Sequence, residues 1–326
     1  MPESAKVRLF KILVENGENY VSGATLAKEL LVSRNAVWKA VESLRLEGYD
    51  ISAVTNKGYR LNKSGANLSQ AGISGYIKTA GVFDIEVRKS VTSTNTILQE
   101  MAAKGAPEGF VLAAEEQTAG RGRQGRGFHS PASSGVYFSV LLKPCSKACD
   151  AALITSAAAV AAAQAIEEIT GVSVGIKWVN DLFLRQKKVC GILTEATFGM
   201  ESGLIENIVL GIGINVTRPE KGFSGTLEDV ATVLVEKSDG NENTRCRLIA
   251  ATLDNLWKYY QNLTRRDFLE EYRKRSIVLG RDIFVLSGDK KTPAHALAID
   301  DECRLIVRYE NGGTDTLNSG EVSIKS

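Results

Sequence analysis

The chain has 326 residues, of which 44% are hydrophobic and 24% charged, with a formal net charge of +2. This length favours two or three domains, and the composition is that of a folded globular protein, which excludes a largely disordered chain. Five cysteines without CxxC spacing indicate neither a disulfide framework nor a zinc site, and the absence of an apolar signal core in the first residues predicts a cytoplasmic protein with no membrane partner.

The N-terminal segment carries the basic excess of the chain. Residues 1–63 hold ten Lys or Arg against seven Asp or Glu. Apolar residues recur at helical spacing from Val7 to Val14, which predicts a first helix. Ser22 and Ser33 stand where N-cap hydroxyls begin helices, so two further helices with a very short turn between them are expected.

The third predicted helix exposes polar residues. Its apolar stripe runs from Ala36 to Leu44 and leaves Arg, Asn, Trp and Lys on other faces, where they suit phosphates and base edges. A predicted hairpin with a basic tip follows, with its turn at Asn56-Lys57-Gly58. Three helices and a hairpin resemble the winged helix-turn-helix DNA-binding domains. The candidate DNA-contacting residues are Ser33, Arg34, Asn35, Trp38, Lys39, Lys57 and Arg60.

The alternative for this segment is a small helical module that mediates protein contacts. DNA binding is favoured because the caps, the apolar stripe and the hairpin all agree with one fold. Residues 62–72 are small and polar without periodicity, and they are interpreted as a linker or domain boundary.

A loop rich in arginine and glycine, GRGRQGRG, lies between predicted strands at 110–115 and 136–142. Glycines at such short intervals let the backbone approach a ligand closely. Arg121, Arg123 and Arg126 add planar cationic groups suited to phosphate. The spacing matches neither the dinucleotide fingerprint nor a P-loop. The pattern favours a phosphate-handling loop over a solvated basic loop that tolerates RNA.

A second polar cluster follows at strand ends. Lys177, Asn180, Asp181 and Lys188 surround a short turn between β-rich runs, and sites are usually built at such positions. The next predicted strand, NIVLGIGINV, contains two glycines. These indicate either the close approach of a ligand or another chain, or close packing within the sheet.

The hydrophobic pattern of the remaining chain is first helical and then β-like. Residues 151–170 form an Ala-rich run, broken by Thr, Ser and Gln, which predicts a helix packed on the sheet, and residues 245–275 predict two more helices. From Ile277 onward short β-like runs alternate with turn residues. This resembles a small SH3-like barrel, and a separate unit is favoured over an extension of the central sheet.

Together these segments resemble the biotin-protein ligases, and with the winged helix in front they resemble the bifunctional kind that also represses biotin synthesis genes. The matching pieces are Ser93-Thr94-Asn95, Gln117 followed by GRGRQGR, KWVND at 177–181, KKVCGIL at 187–193 and GIGIN at 211–215. The chain departs from the family at Val179, where proline is common, and at Phe128, where the aromatic residue that covers the ligand is often tryptophan.

The resemblance implies an α+β protein of three domains. The expected parts are a winged helix-turn-helix DNA-binding domain over residues 1–63, a mixed-sheet α/β catalytic domain of the biotin/lipoate ligase type over 64–275, and a C-terminal SH3-like β-barrel over 276–326.

It also implies a two-step reaction. Biotin and MgATP give biotinyl-5′-adenylate and pyrophosphate, and a specific lysine of a biotin carboxyl carrier protein then takes the biotin. The biotin carboxylate is already a nucleophile, so the first step needs alignment and charge neutralisation and no protein base. Operator DNA is the other implied partner, and a homodimer is expected with adenylate bound. No protein ligand to a metal is predicted.

The resemblance carries specific roles to this sequence. The implied biotin-binding residues are Ser93, Thr94, Asn95, Gln117, Arg121, Gly122, Arg123 and Lys188. The implied ATP- or adenylate-binding residues are Arg121, Arg123, Arg126, Phe128, Lys177, Asn180 and Asn215. The implied catalytic residues are Arg123, Lys188, Lys177 and Asp181. For Asp181 three roles stay open: accepting the amine proton, positioning the amine, and serving a magnesium ion.

Two other functions are alternatives to a bifunctional biotin-protein ligase. The chain could be a winged-helix transcription factor whose second half only senses a small molecule. It could also be a lipoate-protein ligase, which the winged helix and the GRGRQGR loop disfavour.

Overall fold

The structure is a computed structural model that describes residues 4–62, 68–144, 149–199, 203–223, 225–235, 243–287 and 290–325. The helices in these ranges are α1 (Ala5–Glu15), α2 (Gly23–Leu30), α3 (Arg34–Leu46), α4 (Gln70–Tyr76), α5 (Thr94–Ala103), α6 (Cys149–Thr170), α7 (Leu227–Val230), α8 (Thr244–Tyr260) and α9 (Leu269–Arg275). Short 3₁₀ turns lie at Arg123–Gly125 and Leu263–Arg265.

Within these ranges the sheets number three, and their strands follow. They are β1 (Ile51–Val54), β2 (Gly58–Leu61), β3 (Asp84–Val91), β4 (Phe110–Gln117), β5 (Gly135–Leu142), β6 (Gly175–Lys177), β7 (Asp181–Leu184), β8 (Lys187–Phe198), β9 (Ile205–Asn215), β10 (Asp282–Ser287), β11 (Lys290–Ile299), β12 (Leu305–Tyr309), β13 (Thr314–Leu317) and β14 (Glu321–Ile324).

The winged helix forms as its local sequence predicts. The Ser22 hydroxyl accepts a hydrogen bond from the Thr25 N–H at 3.0 Å, and the Ser33 hydroxyl accepts one from the Ala36 N–H at 3.2 Å. Each serine therefore satisfies a backbone donor that the first helical turn leaves free. β1 and β2 pair as an antiparallel hairpin, with Asn56 at a φ of +66° in the turn.

The predicted linker is wrong from Ser69 onward; residues 63–67 of it lie outside the described residues. Ser69 caps α4 by accepting the Gly72 N–H at 3.0 Å, and it lies 2.6 Å from the Tyr49 hydroxyl. Both hydroxyls are buried. The helix begins where the sequence had indicated only a boundary, and it contacts both the winged helix and α8.

Two glycines of α4 allow this close contact. A Cβ atom at Gly72 would lie 2.1 Å from the Tyr49 hydroxyl oxygen, and one at Gly75 would lie 2.2 Å from the Phe10 ring. Neither separation is possible for real atoms, so only glycine fits at these positions. Ala71 is part of the same buried cluster as the winged-helix core. α4 therefore completes that core.

The central sheet has seven strands in the order β3-β4-β5-β9-β8-β7-β6. β3 and β4 are parallel and the other pairs are antiparallel, which confirms the expected mixed sheet. α5 packs on one face, where Leu98 meets Leu141 and Val209. α6 and α8 cover the opposite face. The sheet is thus buried on both sides.

The long helix α6 is a core helix. Its segment Ala151–Thr170 is long and apolar enough to cross a membrane, yet 72% of its most apolar window is buried inside the protein. Small alanine side chains let it lie close to the sheet and to α8.

The C-terminal strands form their own five-stranded antiparallel sheet in the order β13-β12-β11-β10-β14. This confirms a separate unit in place of an extension of the central sheet. Its inner residues join the core of the central domain. The Trp178 indole N–H donates to the Cys303 carbonyl at 2.9 Å, which fixes this sheet beside the turn between β6 and β7.

Candidate active site

A cleft of about 910 Å³, counting the space open to solvent, lies where the central and C-terminal sheets meet. The predicted ligand and catalytic residues that line it are Ser93, Thr94, Asn95, Gln117, Arg121, Gly122, Arg123, Arg126, Phe128, Lys177, Asn180, Asp181 and Lys188. Asn215 is not among the lining residues. Its amide donates instead to the Thr232 carbonyl at 3.2 Å, at the end of β9.

The start of α5 and the end of β4 form one polar wall. Ser93 caps α5 by accepting the Thr96 N–H at 3.5 Å. The Gln117 carbonyl oxygen accepts the Thr94 N–H at 2.8 Å, and its NH₂ group donates to the Ser130 hydroxyl at 2.9 Å. Both ends of the Gln117 amide are therefore bonded, which fixes its orientation toward the cleft.

Asn95 is held just as firmly. Its carbonyl oxygen accepts the fully buried Ser139 hydroxyl at 2.6 Å, and its NH₂ group donates to the Glu195 carboxylate at 2.9 Å. A Cβ atom at Gly211 would lie 2.0 Å from the Asn95 carbonyl oxygen. The first glycine of the GIGIN strand thus makes room for a side chain of the site itself.

The arginine loop, residues 118–134, lies over the cleft. The Gly122 N–H donates to the Arg126 carbonyl at 2.7 Å, which folds the loop back on itself. Gln124 sits at the turn with a φ of +55°. Each arginine reaches a different neighbouring element. The contacts are Arg121 to Glu195 of β8 at 2.9 Å, Arg123 to Asn180 at 3.0 Å and Arg126 to Glu321 of β14 at 2.7 Å.

These contacts bear on the two interpretations of the loop. The Arg121 and Arg126 side chains are 46% and 64% exposed, yet all three guanidinium groups contact protein partners around the cleft, which favours a loop directed at the cleft. The hydrogen bond from Arg126 lowers the pKa of Glu321, and the carboxylate in turn raises the pKa of Arg126. The C-terminal sheet is thereby part of the site.

A turn between β6 and β7 supplies the second group of charges. The Lys188 ammonium lies 2.6 Å from the Asp181 carboxylate. Burial lowers the pKa of Lys177, although Asp181 and Glu321 oppose that shift, and its ammonium lies 5.2 Å from the centre of the Phe183 ring. Two cations therefore face the cleft from this side.

The turn itself is fixed by hydrogen bonds from behind. The Asn180 NH₂ group donates to the Ile192 carbonyl at 2.7 Å, and the fully buried Tyr272 hydroxyl donates to the Val179 carbonyl at 3.0 Å. The Trp178–Val179 peptide bond is cis. Valine thus occupies the proline position of the family motif, and Asn180 and Asp181 still reach the cleft.

Phe128 forms an aromatic wall of the cleft. A Cβ atom at Gly213 would lie 2.5 Å from its ring, and one at Gly191 would lie 3.2 Å away. The Tyr137 ring meets it edge to face at 6.4 Å. The second glycine of GIGIN therefore accommodates Phe128, so both glycines provide room for side chains that line the cleft.

Four residues of this arrangement were missed by sequence reasoning: Ser139, Glu195, Gly320 and Glu321. Ser139 lies on a predicted strand, where a polar residue among apolar neighbours was the available signal, whereas Glu195 has no such signal. Gly320 and Glu321 line the cleft from the far end of the chain, and no local pattern connects them with the loop.

The candidate DNA-contacting residues lie on the exposed part of the winged helix. Ser33, Arg34, Asn35 and Lys39 are exposed on α3, and Trp38 beside them is 51% exposed. The exposed indole is thus available to a partner beside the polar residues of the same segment.

The hairpin adds cations next to α3. Lys57 is exposed at the tip, while the Arg60 guanidinium lies 4.7 Å from the centre of the Tyr20 ring and is half-buried. The ring and the Asn62 side-chain oxygen, which accepts the Arg60 Nε–H at 3.2 Å, together orient the guanidinium.

Comparison with family models gives three matches that follow the chain in order. They are a helix-turn-helix domain over residues 8–60, the biotin/lipoate A/B protein ligase family over 87–215, and the biotin protein ligase C-terminal domain over 278–325.

Whole-length relatives carry the same arrangement. The bifunctional ligase/repressor BirA of Bacillus subtilis is 34% identical over 316 residues, which is 96% of both chains. BirA of Escherichia coli is 27% identical over 314 residues, covering 96% of this chain and 95% of the relative. A solved biotin protein ligase from Aquifex aeolicus in complex with biotin and ATP aligns with a TM-score of 0.60 and 27% identity, over 74% of this chain and 98% of that one.

Proposed function

Because the chain belongs to the family of bifunctional biotin ligase/repressors, we propose that it activates biotin with ATP, transfers it to a carrier protein and represses biotin genes by binding DNA. One observation carries the ligase half: the arginine loop and the Lys188–Asp181 pair enclose the same cleft. The exposed face of α3 carries the repressor half.

In the first step a carboxylate oxygen of biotin attacks the α-phosphorus of ATP, and the bond to pyrophosphate breaks. Negative charge gathers on the phosphate oxygens, so fixed cations lower the barrier most. We assign Lys188 and Arg123 to the α-phosphate and the carboxylate, and Lys177 to the phosphates that leave. Asp181 holds Lys188 in place by their ion pair at 2.6 Å.

The biotin head requires fixed hydrogen-bonding partners. We place it against Ser93, Thr94, Asn95 and Gln117, whose amides and hydroxyls are locked by the bonds described above. Donors and acceptors that are already oriented cost no reordering when the ligand binds. Phe128 then covers the adenine side of the cleft, in the place that the family resemblance gives to an aromatic residue.

In the second step the amine of a carrier lysine attacks the acyl carbon of the mixed anhydride, and AMP leaves with the electrons of the C–O bond. The arginine loop shields the anhydride from water until the amine arrives, because its three contacts hold it over the cleft.

Magnesium is implied by the use of ATP. The cleft has two acids among the described residues, Asp181 and Glu321, and each is paired with a cation. No group of three metal-ligating side chains occurs in the described part of the chain. Asp181 would hold a magnesium ion together with the phosphates of ATP, since carboxylate oxygens and phosphates are the ligands that this ion prefers. When bound, the ion neutralises phosphate charge.

The expected partners follow from the two proposed activities, biotin transfer and DNA binding. The carrier is the biotin carboxyl carrier protein of a biotin-dependent carboxylase, and the DNA is an operator of biotin genes. We further propose that the protein acts in the cytoplasm and that adenylate binding favours a homodimer spanning two half-sites. Sedimentation with and without biotin and ATP tests the dimer, and an unchanged mass at micromolar protein contradicts it.

The decisive test of the ligase is mass spectrometry of a carrier domain incubated with the protein, biotin and ATP. One biotinyl group on one lysine is expected, and none without ATP. Ligand binding with no covalent product would identify a sensor without ligase activity. Preferential transfer of lipoate from an equimolar mixture would identify a lipoate ligase.

A further inference from the structure

Glu195 on β8 does not line the cleft, yet it contacts two residues that do. Its carboxylate lies 2.9 Å from one guanidinium nitrogen of Arg121 and 3.4 Å from another, and its second oxygen accepts the Asn95 NH₂ group at 2.9 Å. The Glu195 side chain is 21% exposed, and that of Arg121 is 46% exposed. One carboxylate thus joins the arginine loop to the start of α5.

We propose that Glu195 is a positioning residue of the biotin site, which holds Arg121 of the loop and Asn95 of α5 in the arrangement that receives the ligand. This inference rests on the function proposed above. In this proposal Glu195 contacts no substrate itself and acts through Arg121 and Asn95, which do.

The chemistry of a carboxylate suits this task better than that of an amide. An ionised carboxylate only accepts hydrogen bonds, and it has room for the two N–H groups of an arginine fork and for a third donor. Together with the Leu193 carbonyl, which accepts the same group at 3.3 Å, it directs the NH₂ end of Asn95 toward β8. The Asn95 carbonyl oxygen is left facing Ser139, where the hydroxyl donates to it at 2.6 Å. The contribution that only a charged residue at 195 makes is the ion pair to Arg121 at 2.9 Å.

Glu195 also anchors one end of the loop. Arg123 and Arg126 hold the rest through Asn180 and Glu321. Loss of the Glu195 contact therefore frees the segment around Arg121 without releasing the whole loop. Because Arg121 is half-exposed, its ion pair is weakened by solvent and by salt. The expected effect on loop opening is accordingly modest and decreases as the salt concentration rises.

The test is Glu195→Gln in the full-length protein, with Glu206→Gln as the matched control, because Glu206 is exposed on the adjacent strand β9. Trypsin cleaves after arginine, so the rate of cleavage at Arg121, Arg123 and Arg126 without ligand reports loop opening. We expect Glu195→Gln to be cleaved roughly twofold to fivefold faster at low salt. The control should match the parent protein, and the difference should disappear near 1 M NaCl.

Ligand affinity provides the second readout. The biotin KM for pyrophosphate release should rise by about tenfold in Glu195→Gln while kcat changes little, because Lys188 and Arg123 stay in place. Glu195→Asp keeps the charge and should recover part of the affinity. General misfolding would lower kcat and the melting temperature together and would not depend on salt.

Unchanged cleavage and unchanged biotin KM in a folded Glu195→Gln protein would overturn the proposal. So would faster cleavage that persists equally at 1 M NaCl. The cleavage assay uses ligand-free protein, so its result does not depend on activity. A parent protein that fails to biotinylate the carrier would instead refute the proposed function.

Discussion

Helix α3, the proposed recognition helix, and the arginine loop both present cations, but different contacts hold them. α3 is capped by a serine three positions from the amide it binds, and its buried face lies within the winged helix. The loop arginines Arg121, Arg123 and Arg126 contact residues 74, 57 and 195 positions away in the sequence. The first cationic surface is formed by local structure, and the second only by the assembled fold.

This difference has a functional meaning. A surface that binds DNA gains from being formed before its partner arrives, because no ordering cost is then paid on binding. A loop that covers a reactive intermediate must open to admit substrates. Contacts made at the tips of long, partly exposed side chains break at low cost and allow that opening.

The largest effect that separates the two regions is expected for Lys188→Ala. Adenylate formation should fall by about 100-fold to 1,000-fold, because a cation facing the phosphate is lost. DNA binding by the ligand-free protein should not change. Pyrophosphate release measures the first step, and Lys89→Ala on β3 is the control. Release at the parent rate would remove Lys188 from the mechanism.

The next effect concerns the loop alone. Arg123→Gly should shorten retention of the adenylate by about tenfold or more, because the charged hydrogen bond to Asn180 is removed. Released adenylate should then label bystander proteins. Arg123→Ala separates loss of the guanidinium from the added backbone freedom of glycine. Normal retention together with unchanged selectivity in the glycine variant would refute this.

The recognition helix is tested by Arg34→Ala. Affinity for operator DNA should fall by about tenfold, and the slope of log affinity against log salt should decrease by about one if Arg34 binds a phosphate. The rate of biotin transfer should stay the same. Fluorescence anisotropy over a salt series measures both quantities, with Lys104→Ala at the end of α5 as the control. An equal loss in both activities would contradict the separation of the two regions.

The smallest effect is expected for Ser33→Ala. Loss of the cap should reduce the stability of the winged helix by about 1 kcal/mol, because the Ala36 N–H loses its acceptor. Hydrogen exchange of the α3 amides in the full-length protein measures this, and Ser90→Ala on β3 is the control. Unchanged exchange in α3 would show that the cap is not what holds the helix start.

Much of the fold could be predicted because its signals are local. The caps at Ser22 and Ser33, the hairpin, the strands that flank the loop and the separate C-terminal sheet all follow from short-range patterns. No pattern was assigned to β3, α5, β7 or β13. The strands among them are short or lie at sheet edges, where alternation between buried and exposed residues is weak.

The predicted linker failed for a physical reason. Gly72 was interpreted as part of a small, polar linker, whereas it and Gly75 are small because Tyr49 and Phe10 press against them. The same residue type indicates freedom in one setting and close contact in the other, and only the neighbours distinguish the two.

The sequence predicted the cationic and amide side chains of the cleft but not the residues that they contact. Glu195 and Glu321 have no sequence pattern that separates them from ordinary surface carboxylates, since their contacts join distant parts of the chain. Asn215 was assigned to the nucleotide from its motif, yet its amide bonds to Thr232 at the end of the strand.

The close fit of α4 against the winged helix determines where the chain can be divided. A fragment that stops at residue 63 would strip the cover from Phe10 and Tyr49, two rings that the intact protein keeps from water. A truncated gene that retains the coding sequence through Tyr76 would keep α4 against these rings, so the N-terminal unit is longer than the helix-turn-helix pattern alone suggests.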